Sequence, residues 1–126
     1  MPAPLSNTLG KRERLSGRKN IGQLLESGQW GFAGSLKYCW APGAENFSRI
    51  LVSVPKKIFK RAVKRNLLKR RIREAFRLNK ILLKECPADI LFIYSRNELS
   101  DFKRICSEVQ DICKKVASIQ VEKQEQ

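Results

Sequence analysis

Apolar and polar positions change rhythm several times along this chain, and each rhythm predicts an element. Ile21, Leu24 and Leu25 recur at helical spacing behind Ser16, a helix-capping residue type, and Gly28 reads as the stop. Leu36, Tyr38 and Trp40 alternate with Lys37 and Cys39, the period of two that marks a strand within Trp30–Ala41. Trp30–Ala33 reads as a further short strand. Pro42, Gly43 and Asn46 supply turn chemistry. Ile50–Val54 makes another strand, ended by Pro55, which has no N–H for a ladder. A hairpin joining these strands fits the pattern. A helix follows over about Arg61–Leu83. Ile90–Tyr94 is a continuous apolar run, as in a strand buried on both faces. Behind Ser100, read as an N-cap, Phe102, Ile105, Val109, Ile112 and Val116 run down one side of a last helix.

This order predicts an α+β fold. It is a two-layer α/β sandwich in which three helices pack on a small mixed sheet, and a strand–helix–strand unit makes one parallel pair. Residues 1–10 read as a flexible arm, 11–119 as a single domain and 120–126 as a frayed tail. At 126 residues and 42% hydrophobic content, the chain can bury a real core without a metal or disulfide staple.

Charge changes the picture most. Lys and Arg number 26 against 12 Asp and Glu, a net charge of +14. Such an excess self-repels unless a polyanion compensates it. Nucleic acid is the usual partner and an acidic membrane surface the other candidate. No apolar run approaches the roughly 18–20 residues that span a bilayer. Met1–Gly10 has no apolar stretch of signal-peptide type, so the cytoplasm is the expected compartment.

Catalytic chemistry is hard to find. There is no histidine, which excludes nucleophile–histidine triads and histidine acid–base pairs. No short carboxylate pair of two-metal nuclease type is visible. Cys39, Cys86, Cys106 and Cys113 form no C-x-x-C pair. A zinc site would have to gather them from three separated segments, and buried reduced thiols are the expected state. No catalytic residue and no metal ligand is assigned.

The signal lies in Lys60–Lys80, where ten of 21 residues are Lys or Arg. At about 100° per residue, Asn66, Lys69, Arg70, Arg73, Arg77 and Lys80 form one stripe. Leu67, Leu68, Ile72, Ala75 and Leu78 take the opposite side. A solvated helix face interleaves both signs, whereas here like charges stack four apart at Lys69–Arg73 and Arg73–Arg77. An anionic ligand turns that repulsion into attraction. The apolar side is committed to the sheet, which disfavours a membrane-surface role. No helix-turn-helix precedes the helix and no heptads follow, which disfavours duplex DNA. Guanidinium groups grip phosphate bidentately. Asn66 fits a ribose or base edge, or a merely local role near the helix start. Lys11, Arg12 and Arg14 add an N-terminal basic group. Ile21, Leu25, Tyr38 and Trp40 either line a groove that stacks single-stranded bases or belong to the core.

The run Lys60-Arg61-Ala62-Val63-Lys64-Arg65-Asn66-Leu67-Leu68-Lys69-Arg70-Arg71-Ile72-Arg73-Glu74 resembles the bacterial ribonuclease P protein family. Arg12-Glu13-Arg14-Leu15 and Val52-Ser53-Val54-Pro55-Lys56-Lys57 extend the likeness. The resemblance implies a left-handed crossover around the basic helix. It also implies a protein subunit that assists a catalytic RNA in removing the 5′ leader from precursor tRNA, while Mg2+ is bound mainly by that RNA. Its implied partners are the catalytic RNA and precursor tRNA, with no membrane and no obligate protein partner. By the match, Arg65, Asn66, Lys69, Arg70 and Arg73 face the catalytic RNA, extended by Lys56, Lys57, Lys60, Arg61 and Lys64, and Arg77 on the same stripe counts as RNA-binding with them. The leader falls in a cleft beside Ile21, Leu25, Tyr38 and Trp40. Two departures stand out: Leu67 replaces a frequent basic residue, and Ile21 and Leu25 stand where aromatics are frequent. Charge alone also leaves open a non-catalytic RNA- or ribosome-binding protein.

Overall fold

The stretch Trp30–Ala41 folds as two strands, with the short strand read at Trp30–Ala33 beginning one residue earlier. In the computed structural model, which describes residues 13–15, 17–43 and 45–124, Gln29–Ala33 (β1) and Leu36–Pro42 (β2) form a tight antiparallel hairpin. Its turn uses Gly34 at φ +58°, a left-handed conformation that glycine adopts without a Cβ penalty. The hairpin expected between β2 and the next strand, Arg49–Ser53 (β3), does not form. Ala88–Tyr94 (β4) lies between them, antiparallel to β2 and parallel to β3, in the order β1-β2-β4-β3. Burial explains the correction. Strand β4 is apolar on both faces, so it takes a central place. Ile90, Phe92 and Tyr94 enter one core, while Leu91 and Ile93 meet the other.

A parallel pair needs a long crossover. The basic helix supplies it as Ala62–Asn79 (α2), and Lys80–Leu83 tightens into a 3-10 turn where one long α-helix was expected. Helix α2 and the last helix, Phe102–Gln124 (α3), cover one sheet face over the main core, which includes Leu68, Ile72, Phe76, Ile105 and Ile112. The first helix, Arg18–Ser27 (α1), covers part of the other face, packing Leu24 and Ile21 on Cys39 and Leu91. Residues 13–15 continue the sheet beyond β3: Arg14 bridges Ile50 in parallel, and the Leu15 N–H donates to the Ile50 carbonyl at 2.7 Å.

Helix ends differ in detail from the sequence reading. Ser16 lies outside the described residues, and Gly17 at φ +89° starts α1. Asp101, not Ser100, caps α3 by accepting from the Arg104 N–H at 2.8 Å. Ser100 is buried, and its N–H donates to the Tyr94 hydroxyl at 3.0 Å. Helix α3 runs past position 119 to Gln124, because the buried Gln120 amide finds the Cys86 carbonyl at 2.8 Å. Cys39, Cys86 and Cys113 are buried and Cys106 half-buried, and all four are free.

Candidate nucleic-acid interface

Helix α2 divides as amphipathicity demands. Leu68, Ile72, Ala75 and Phe76 are fully buried against the sheet and α3. Asn66 and Arg70 are exposed, and Lys69, Arg73 and Arg77 are half-buried beside them. Lys56, Lys57, Lys60, Arg61 and Lys64 are exposed along the approach to the helix and its first turn, so one basic surface runs from the loop onto α2. The helix starts without a side-chain cap and without an acid in its first turn. Its dipole therefore adds to the positive charge there. Two expected apolar positions differ: Leu78 is exposed and Leu67 half-buried.

The cations are not equivalent. Arg65 is half-buried and donates from one guanidinium nitrogen to the carbonyls of Phe59 and Lys60, at 2.7 Å each. It therefore shapes the basic loop as well as charging it. Arg71 reaches across to the Ser100 carbonyl at 2.7 Å and holds the loop before α3. Arg77 pairs with Glu74 one turn back, and that hydrogen bond pulls the Glu74 carboxyl below its ordinary range. Lys80 leaves the expected stripe. It is buried and paired with Glu13 at 3.1 Å, because the 3-10 turn swings it under the N-terminal segment. Arg73 is held below the usual arginine value by burial and then by the charge of Arg14. Lys11 and Arg12 lie outside the described residues.

The cleft residues need a correction. Tyr38 and Trp40 are each 2% exposed and sit in the main core under α2 and α3, on the face opposite α1. Alternation puts Lys37, Cys39 and Ala41 on the α1 face instead. Ile21 and Leu25 do lie on α1, Ile21 packed on the small core and Leu25 exposed. The aromatic surface on this face comes from β1. Trp30 is 47% and Phe32 69% exposed, opposite Cys39 and Lys37 in the hairpin register. The Lys37 ammonium lies 4.8 Å from the Trp30 ring centroid and 5.7 Å from that of Phe32. Gly31 permits this arrangement, since a Cβ there would meet the Tyr38 ring 2.5 Å away on the other face. The sequence carries this surface as an aromatic–glycine–aromatic alternation, Trp30-Gly31-Phe32, in a short edge strand.

Among the described residues no three His, Cys, Asp or Glu side chains come together as a metal-holding group. Among the described residues no helix is long and apolar enough to cross a membrane.

The chain is similar to proteins of one family. A family model described as Ribonuclease P matches residues 9–117. The ribonuclease P protein component of Porphyromonas gingivalis is 40% identical over 114 residues, covering 83% of this chain and 83% of its own. That of Petrotoga mobilis is 33% identical over 115 residues, covering 86% and 95%. Among solved structures, the RNase P protein from Thermotoga maritima has a TM-score of 0.72 at 27% identity, covering 82% of this chain and 97% of its own. An RNase P protein from Staphylococcus aureus has the same TM-score of 0.72 at 24% identity, a likeness of fold. With the family match spanning the N-terminal bridge, the sheet, the basic helix and most of α3, this chain belongs to the ribonuclease P protein family.

Proposed function

We propose that this chain is the protein subunit of ribonuclease P, the ribonucleoprotein endonuclease that removes the 5′ leader from precursor tRNA, and that its partner RNA performs the hydrolysis. The observation that carries the reading is the face of α2 where Lys64, Asn66 and Arg70 stand exposed and, among the described residues, outside the ion pairs. This face and the loop cations Lys56, Lys57, Lys60 and Arg61 dock on the catalytic RNA through phosphate contacts. Mg2+ belongs with that RNA and its substrate. Four free thiols suit a reducing cytoplasm.

The 5′ leader lies on the α1 face of the sheet. Trp30 and Phe32 offer ring faces for bases, and Lys37 between them offers charge for phosphate. The test is reconstitution with a bacterial ribonuclease P RNA at low Mg2+ and a precursor tRNA substrate. Stimulated cleavage at the mature 5′ end is expected. RNA binding without any effect on cleavage would sink the reading and favour a non-catalytic RNA-binding protein.

A further inference from the structure

Hairpin tips ordinarily lie on the surface and are held by their own strands. The tip at Gly34–Ser35 is different. Ser35 is fully buried, and each of its polar groups is engaged outside the hairpin. Its N–H donates to one Glu108 carboxylate oxygen at 2.9 Å, and its hydroxyl donates to the other. Its carbonyl accepts from the Ser95 N–H at 2.8 Å and from the Ser95 hydroxyl at 3.0 Å. The tip is thus clamped between α3 and the end of β4. Glu108 is itself buried, and the Arg104 Nε stands 3.8 Å away on a half-exposed side chain. Burying a carboxylate is costly unless its hydrogen bonds offset the lost hydration. Strand β1 shows what the clamp holds. All five of its residues are exposed or half-buried, so core packing does not fix it. It lies at the edge of the sheet, pairs with β2 and meets α3. Phe32 stands two residues before Gly34, and Lys37 stands two after Ser35, directly opposite Phe32. The turn therefore sets the position of this ring and its cation and, through the ladder, that of Trp30.

We propose that Glu108 is a positioning residue for the leader: from the α3 side of the sheet it fixes the turn that holds Trp30, Phe32 and Lys37 in place on the α1 side. The proposal rests on the leader placement above and adds to it a buried carboxylate from the opposite layer. A platform held in advance binds the leader without having to order an edge strand at that moment, and this raises affinity.

The test uses the full chain reconstituted with a bacterial ribonuclease P RNA and two precursor tRNA substrates, one with a long leader and one with a single-nucleotide leader. Glu108→Ala should raise KM for the long leader on the order of tenfold, with kcat and affinity for the catalytic RNA unchanged. The single-nucleotide leader should show no such change. Glu108→Gln should restore most of the affinity, because its amide oxygen accepts from the Ser35 N–H and its amide nitrogen donates to the Ser35 hydroxyl. In a Trp30→Ala, Phe32→Ala background, Glu108→Ala should add little, since the rings it positions are gone. An unchanged KM, a loss equal for both leaders, or a loss that survives in full without the rings would overturn the positioning role. Ser35→Ala removes only the hydroxyl bond and serves where Glu108→Ala does not fold. It should show a smaller loss with the same dependence on leader length, and a loss independent of leader length would again overturn the proposal. If the wild-type protein does not distinguish the two leaders, or the variant lacking both rings binds them as the wild type does, the leader placement itself has failed and the proposal falls with it.

Discussion

Lys37 and Trp30 meet across the β1–β2 hairpin, the ammonium 4.8 Å from the ring centroid, with Phe32 directly opposite Lys37. The cation orients on two exposed rings and leaves their far surfaces open. Trp30→Ala should therefore weaken binding of a single-stranded leader by about 1–3 kcal/mol, the usual worth of a base–aromatic stack. Stability should change by no more than about 0.5 kcal/mol, since the side chain is half exposed on an edge strand. Tryptophan emission gives the measurement, because Trp40 is buried in the main core and Trp30 is open to quenching by a leader oligonucleotide. Unchanged emission and affinity would remove Trp30 from the binding surface.

Three arginines of α2 should separate in mutagenesis. Arg70→Ala removes an exposed cation, so it should cost about 1.5–3 kcal/mol in RNA affinity and almost nothing in stability. Arg71→Ala removes the bond to the Ser100 carbonyl and should lower the melting temperature more than the affinity. Arg65→Ala should do both, since its guanidinium holds the Phe59 and Lys60 carbonyls that shape the basic loop. Paired melting and binding curves for the three variants check the ordering. Equal effects on both quantities for Arg70 and Arg71 would refute it.

The sequence pattern carried much of this picture, and its failures have physical causes. Periodicity placed α2 and its core residues, because a helix with one buried face must repeat apolar groups on that face. It also marked β4 as doubly buried, yet the neighbours of β4 were missed. Pairing order is a long-range property, and alternation in β2 and β3 fits either partner. The same alternation fixed that Tyr38 and Trp40 share a face but not which layer that face meets. Only the assembled sheet decides that α2 and α3 cover it. Lys80 looked like part of the cationic stripe because its partner Glu13 is far away in sequence, and long-range ion pairs leave no local period.

Gly34 should resist substitution. Its φ of +58° disfavours any Cβ, and a Cβ there would collide with the Glu108 carboxylate. That carboxylate accepts from the Ser35 N–H at 2.9 Å and from the Ser35 hydroxyl, joining the hairpin turn to α3. Gly34→Ala should thus add left-handed strain, about 1–2 kcal/mol, to the loss of these buried bonds, worth roughly as much again. Urea denaturation should show a total loss of about 2–4 kcal/mol. Glu108→Ala in the same background should recover little, since the turn strain stays. A near-neutral Gly34→Ala would contradict the turn geometry.

Cys113 predicts a specific alkaline weakness. Burial in the main core pushes its thiol from 9.0 up to about 12. In the unfolded chain the same thiol loses its proton near pH 9, while in the folded chain it keeps it. The unfolded state therefore binds fewer protons between these values, and stability must fall as pH rises through that window. Below pH 9 both states are protonated and the contribution is constant. Within the window the slope approaches about 1.4 kcal/mol per pH unit for this one thiol. Cys113→Val keeps an apolar side chain and removes the titration, so the variant should lose less stability than the wild type between pH 9 and 11. The difference between the two curves isolates this group from the titrating lysines and from Cys39 and Cys86, whose thiols are also raised by burial. Alkylation at neutral pH offers a second readout: the half-buried Cys106 should react before Cys113. Parallel pH curves for the two proteins, or early labelling of Cys113, would show that this thiol is not sealed in the core.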